Sequence, residues 1–514
     1  MSAPWWQRGV IYQVYPRSFQ DTDGDGVGDL AGVRRRLPHI VRLGVDAIWL
    51  SPFYRSPMAD FGYDVSDHCD VDPRFGTLAD WDALAAEAHR LGLRLILDYV
   101  PNHTSIEHPW FRDPAKRGWY LWHPGTPDEP PTNWVSNFGS SAWTWDERER
   151  AWYYHAYLPE QPDLNWRNPA VRDAMLGVLR FWVGRGADGF RIDALRQSIK
   201  DDQWRDNPPN PAWREGGDPY AALVPEYTTD RAEVLELVAL MRDAVGPDRA
   251  LIGELYLPIE RLIRYYGAGL DLPSNLHLSS TPWEAEALGA HVAAYEGALP
   301  AGAWPNYALG NHDRPRIATR VGAAQARVAA VLLLTLRGTP TLYYGDELGL
   351  RDVPVPPDRA QDPWERRVPG QGLGRDPVRT PMPWSAEPNS GFCPPDVQPW
   401  LPLDAEAQRL SVAAQEADAA SLLALYRRLL VLRRAEHALA LGDWSPVRAR
   451  DGVLAYVRGG RFLVALNLTG HKRALPLGSL SGAVVLSAAG EAEGQRAAGE
   501  LRLAGDDAVV VRLT

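Results

Sequence analysis

The chain has 514 residues, 45% hydrophobic and 23% charged, close to the averages of globular proteins and long enough for a large core domain with one or two smaller ones. Its formal charge of −11 argues against nucleic-acid binding, which needs a basic surface. Cys69 and Cys393 are the two cysteines, which argues against a disulfide framework or a cysteine metal cluster.

The N-terminal segment lacks the basic-then-apolar order of a signal peptide and enters a strand at "VIYQVYPRSF" (10–19). No run of 18 apolar residues is found, so no membrane partner is expected, and the cytoplasm is the default location. The next stretch, "DTDGDGVGD" (21–29), offers Asp21, Asp23, Asp25, the Val27 carbonyl and Asp29 at calcium-loop spacing. An EF-hand would carry glutamate at the twelfth position, where Gly32 stands, and would follow a helix. Such a cluster of carboxylates would repel itself without an ion, which favours a cation loop over a plain Asp/Gly turn.

Further strands are predicted at "DAIWLSP" (46–52), "LRLILDYV" (93–100), "DGFRIDAL" (188–195) and "ALIGELY" (250–256). They continue at "LDLPSNLHL" (270–278), "NYALGNHD" (306–313) and "TPTLYYGDEL" (339–348). Segments with helical spacing and a glycine near the end, such as "TLADWDALAAEAHRLG", lie between them. Eight strands in βα alternation predict an α/β fold, a (β/α)8 TIM barrel, over 1–103 and 164–441. A doubly wound sheet is the runner-up, but no G-x-G-x-x-G opens it. Residues 104–163, rich in Trp, Pro and Asn and ending in "QPDLNW", form an inserted domain after the third strand. The aperiodic stretch at 351–404 reads as a long loop over the barrel mouth, and 442–514 as a C-terminal all-β sandwich. The 21 tryptophans and 20 tyrosines suit sugar stacking, although large domains also bury many aromatics.

Barrel enzymes work at the carboxyl ends of their strands. Those ends carry Asp98 and His103, Arg191 and Asp193, Glu254, and His312 with Asp313. A single strand-end acid is more often a helix cap or a loop ion pair. Three on different strands, Asp193, Glu254 and Asp313, with two histidines and an arginine, point to catalysis. Arg191 and Asp193, two residues apart, share one strand face, so the guanidinium can keep the aspartate ionised and nucleophilic. Glu254 follows "LIG", an apolar setting that raises a carboxyl pKa and suits a proton donor. One charged and one protonated carboxyl is the requirement of glycoside cleavage. A two-metal hydrolase would need more His and Asp ligands.

"DYVPNH" (98–103), "GFRIDA" (189–194), "GEL" (253–255) and "NHD" (311–313) resemble the four successive sequence regions of glycoside hydrolase family 13, and "QPDLNW" resembles its additional region. The resemblance covers nearly the whole chain and is closest to α-glucosidases and oligo-1,6-glucosidases. It implies a nucleophile at Asp193, a general acid/base at Glu254 and a transition-state stabiliser at Asp313. It also implies sugar contacts from His103, Arg191 and His312, a stacking ring at Tyr63, and a hydroxyl-binding pair of Asp64 with Arg379 that closes the pocket. Phe138 and Tyr157 would line the next subsite. Ala194 stands where valine accompanies α-1,6 preference and threonine or alanine α-1,4 preference. The loop cation would be structural, Ca2+ or Mg2+, with the oxygen-rich donors favouring Ca2+.

The function expected is therefore a retaining, exo-acting α-glucosidase cleaving terminal, α-1,4-linked glucose from small oligosaccharides such as maltose, as a monomer or homodimer. A glucosyl-transferring enzyme or isomerase using the same residues is the alternative, as is an oligo-1,6-glucosidase. A non-catalytic transporter heavy chain of this fold would lack the acids and carry an anchor.

Overall fold

A computed structural model describes residues 3–514. Eight parallel strands build the core: β1 (Ile11–Val14), β2 (Ala47–Leu50), β3 (Arg94–Tyr99), β4 (Gly189–Ile192), β5 (Ala250–Glu254), β6 (Leu272–Ser274), β7 (Asn306–Ala308) and β8 (Thr339–Tyr343). Their order is β6-β5-β4-β3-β2-β1-β8-β7, and β6 lies against β7 to close the ring. The strands are buried almost throughout, as expected when helices cover the outside and side chains fill the inside. Ile11, Ala47, Ile96, Ala250, Ile252 and Leu272 fill the interior above Trp6 and Trp304.

The strands are shorter than their apolar runs. β1 stops at Val14 because Pro16, which has no N–H for a ladder, opens a short 3-10 turn. The helices follow their caps. Leu78–Arg90 begins with a reciprocal Thr77/Asp80 capping box, and Pro169–Gly184 begins behind Asn168 with proline in its first turn.

The insertion leaves the barrel where His103 bridges Asp163. It contains a three-stranded antiparallel sheet (Trp122–Pro124, Ala151–Tyr154, Trp143–Asp146) over a small core of Trp134, Trp143, Trp152 and Tyr154. The 351–404 stretch is irregular, with short helical turns, and is pinned to the mouth by Met382 N–H to the Ser18 carbonyl (2.8 Å) and Trp384 Nε1 to the Phe19 carbonyl (2.7 Å).

The tail is all-β, with six strands in one hydrogen-bonded antiparallel ladder. The alternating runs "VLAYVRGG", "RFLVALNLTG", "GAVVLSA" and "DAVVVRLT" mark four of them in the sequence, and Trp444–Val447 and Arg496–Leu503 are the other two. One face, with Tyr456, Phe462, Val464 and Val510, packs into the barrel's core, and the other builds its own core around Leu463, Leu475, Leu501 and Val511. Among the described residues one helix, Ile317–Thr335, is long and apolar enough to cross a membrane, although Arg320 and Arg327 interrupt its apolar run. It is the helix on which the tail packs, and that burial accounts for its apolarity.

Candidate active site

The β-ladder sets the site. Parallel register places Asp98 beside Arg191 and Arg191 beside Ile252, so the mouth-facing side chains of β3, β4 and β5 meet at one height. Arg191 is the hub, 97% buried. Its Nη1 donates to Asp98 Oδ1 (2.8 Å) and Asp193 Oδ1 (2.6 Å), and its Nη2 donates to Glu254 Oε1. The other Glu254 oxygen accepts the Ala194 N–H at 3.0 Å. Glu254 thus sits against a guanidinium and an amide rather than in the apolar setting that "LIG" implied.

Asp193 also departs from expectation. Burial pushes its carboxyl well above the usual range, against the pull of Arg191 and with the charges of Glu254 and Asp98 adding to the push. One arginine is shared among three buried carboxylates, so its pull on Asp193 is divided and does not offset burial. Asp313 goes the other way. Burial would raise it, but His312, Arg379 and Arg375 outweigh burial and hold it well below the usual range. Burial brings His312 itself down to about 3, so at neutral pH the two arginines are the cations that act on Asp313. Their Nη2 and Nη1 atoms stand 2.9 and 3.5 Å from its Oδ1, respectively. His103 is likewise lowered to about 3 by burial, so both histidines face the cavity neutral. The Tyr63 hydroxyl lies 2.6 Å from His312 Nε2, with the two ring planes 4° apart.

The pocket's blind end corrects the sequence assignment. Asp64 is fully buried and turned away: its carboxylate accepts from Ser56 Oγ (2.8 Å), Ala59 N–H (2.8 Å) and Asp60 N–H (2.9 Å). Asp60 takes the place expected of it. Left-handed Phe61 (φ 47°) and Gly62 (φ 108°) reverse the chain between the two aspartates, so they face opposite ways. The partner changes too. Arg379 is fully buried beneath the cavity, where Nε donates to the His312 carbonyl at 2.9 Å. Arg375 faces the cavity, donating from Nη2 to Asp60 Oδ1 (2.6 Å) and gripping Asp362 through Nε and Nη2 (2.8 Å each).

A cavity of about 390 Å³ results, lined by Asp193, Glu254, Asp313, Tyr63, His103, His312, Phe138 and Tyr157 as expected. Arg191 lies beneath it, as a support for the carboxylates. Asp60, Arg375, Asn137, Gln197, Tyr256 and Trp364 also line it and had not been read from the sequence. Tyr256, two residues after Glu254, carried a signal, being an aromatic just past a strand-end acid. Ala194 is not among the lining residues. It sits in the left-handed region (φ 47°), 2% exposed, and meets the site through its N–H on Glu254.

In the 21–29 loop, Asp21, Asp23 and Asp29 each bring a carboxylate oxygen to within 4.8 Å of the others. Asp25 does not join them; its Oδ1 accepts the Val27 N–H at 2.7 Å. Asp29 also caps the helix Leu30–Leu43, accepting from Gly32 N–H at 2.6 Å. Three oxygens of hard, anionic donors suit a divalent cation.

The sequence matches the family model of the alpha-amylase catalytic domain over residues 13–442. A probable alpha-glucosidase of Rhizobium meliloti is 43% identical over 487 residues, covering 88% of this chain and 87% of that protein. An alpha-glucosyl transfer enzyme, XgtA, superposes with a TM-score of 0.93 at 39% identity, covering 99% of this chain and 100% of that one. The trehalulose synthase MutB of Pseudomonas mesoacidophila does so with a TM-score of 0.90 at 30% identity, covering both chains fully.

Proposed function

This chain belongs to the alpha-amylase family, and on that premise we propose that it is a retaining, exo-acting α-glucosidase releasing terminal α-linked glucose from short oligosaccharides such as maltose. One observation carries the exo reading: Asp60 and Arg375, both lining the cavity, are joined across it and braced by buried Asp362, a charged wall that suits the hydroxyls of a chain terminus.

The chemistry follows from the charges. Asp193 attacks the anomeric carbon while Glu254 protonates the departing glycosidic oxygen, so the C–O bond breaks as the glucosyl ester forms. Water, deprotonated by Glu254, then displaces Asp193 and restores the α configuration. Glu254, fixed by Arg191 and the Ala194 N–H, is the carboxyl placed to pass a proton to and from the glycosidic oxygen. Asp313, fully ionised, accepts from sugar hydroxyls and stabilises positive charge on the ring. Neutral His103 and His312 offer N–H groups to sugar oxygens. A preference for α-1,4 links is part of this reading. Ala194, the residue that the resemblance ties to that preference, acts through the Glu254 carboxylate.

We further infer a structural cation, Ca2+ or Mg2+, held by Asp21, Asp23 and Asp29. It neutralises the loop after β1 and takes no part in the reaction.

The test is maltose followed by NMR, together with a maltooligosaccharide blocked at its non-reducing end. α-Glucose as the first product and resistance of the blocked chain are expected; β-glucose or internal cleavage overturns the reading. Likeness to a glucosyl-transferring enzyme favours transfer as a second reading, which new saccharides formed from maltose alone would establish.

A further inference from the structure

His103 must present a hydrogen to a sugar oxygen, yet a neutral imidazole carries its proton on either nitrogen. Its Nε2 lies 3.1 Å from the Tyr63 carbonyl, which only accepts. It also lies 3.1 Å from the amide nitrogen of Gln161, which only donates. The Gln161 amide is fixed in that sense, since its Oε1 takes the Leu158 N–H at 3.0 Å. These two contacts ask opposite things of Nε2, so the cavity side leaves the tautomer undecided.

The decision comes from behind the ring. Nδ1 faces Asn102 Nδ2 at 3.1 Å. Asn102 cannot turn its amide over. Its Oδ1 accepts from the Lys200 ammonium at 2.8 Å and its Nδ2 donates to Asp163 Oδ2 at 2.9 Å, while Lys200 and Asp163 are paired directly. An inverted amide would set nitrogen against ammonium and oxygen against carboxylate, two repulsive contacts in place of two charge-assisted hydrogen bonds. Asn102, Asp163 and Lys200 are all buried to 99% or more, so water does not relieve that penalty.

We propose that the buried Lys200–Asp163 pair, acting through Asn102, locks His103 in the Nε2–H tautomer, so that the ring's cavity-side nitrogen is a donor, held by the Tyr63 carbonyl and shared with an incoming sugar oxygen. The three are positioning residues: none lines the cavity, and each acts on the sugar through His103. Asp163 belongs to "QPDLNW" at the root of the insertion and Lys200 follows β4, so two separate excursions of the chain meet to orient one ring. The inference deepens the glucosidase reading and rests on it only for its kinetic arm.

Neutron crystallography of the deuterated, ligand-free protein tests it directly. Deuterium on His103 Nε2 alone is expected; deuterium on Nδ1 overturns the proposal. In Asn102→Asp the new carboxylate abuts Asp163 across the one lysine, so the two share a proton carried on Asp163, and the oxygen now facing Nδ1 accepts a hydrogen from the ring. Deuterium should then occupy Nδ1, and kcat/KM on maltose should fall roughly ten- to hundredfold, the usual effect of disturbing a residue that orients a site group. A variant without deuterium on Nδ1, or one with the tautomer changed and kinetics intact, overturns the coupling. Tautomer placement needs no substrate, so a wild-type protein inactive on maltose would refute the glucosidase reading and leave the tautomer assignment standing.

Discussion

Replacing Arg375 by lysine keeps the charge at the blind end and removes the fork. The guanidinium serves two carboxylates at once, Asp362 through Nε and Nη2 at 2.8 Å and Asp60 through Nη2 at 2.6 Å. An ammonium on a shorter stem satisfies one carboxylate and abandons the other. Asp362 is fully buried and Asp60 only 3% exposed, so neither finds water as a substitute. If the ammonium stays with Asp362, Asp60 loses one charge-assisted hydrogen bond, worth about 1.5–3 kcal/mol. Burial already raises Asp60 against the pull of Arg375, so without that partner it drifts toward the neutral form and loses its grip on sugar hydroxyls. At about 1.4 kcal/mol per factor of ten, kcat/KM for maltose should fall roughly ten- to 150-fold. Steady-state glucose release, with circular dichroism to confirm folding, measures this. A folded Arg375→Lys enzyme with less than about a threefold loss would refute the clamp.

Asp193→Asn should stay folded and retain no more than about 1% of maltose hydrolysis, because the nucleophile alone is removed. Glu254→Gln should lose about 10²- to 10⁴-fold on maltose but far less on an aryl glucoside whose leaving group needs no proton; equal losses would deny its acid role. Asp346, carried up to about 7 by burial, stays protonated in the folded chain to higher pH than in the unfolded one. Its contribution to stability therefore declines as pH rises from about 4 through 7, so Asp346→Asn should gain stability over the wild type in urea melts at pH 8 and not at pH 5. A chelator should lower the melting temperature, since a cation at a hundredfold excess over its Kd adds about 2.7 kcal/mol; Asp23→Ala should abolish that sensitivity.

The catalytic acids were legible because each stands at the end of an apolar run, and barrel geometry carries strand ends to one place whatever the loops do. Asp60 and Arg375 were not. Each has a like-charged neighbour four residues on, Asp64 and Arg379, and both lie in irregular chain. Which of each pair faces the cavity depends on left-handed residues such as Phe61, whose φ of 47° no periodicity foretells. The electrostatics of Asp193 were hidden for a related reason. A two-residue spacing shows one arginine beside one aspartate, whereas the fold presents that arginine to three carboxylates contributed by β3, β4 and β5. At Ala194 the left-handed backbone brings the N–H, rather than the methyl, to the site, which a residue's identity in the sequence does not foretell.

The shut end has a consequence for traffic. If the end closed by Asp60 and Arg375, braced by Asp362, is blind, substrate, leaving sugar, water and glucose all use the opposite mouth. The severed sugar, standing nearer the door, departs first, and glucose, deepest inside, can leave only after it. Free glucose should accordingly compete with maltose for the empty enzyme, while the departing sugar, by re-entering before water arrives, returns the glucosyl group to itself and slows net turnover.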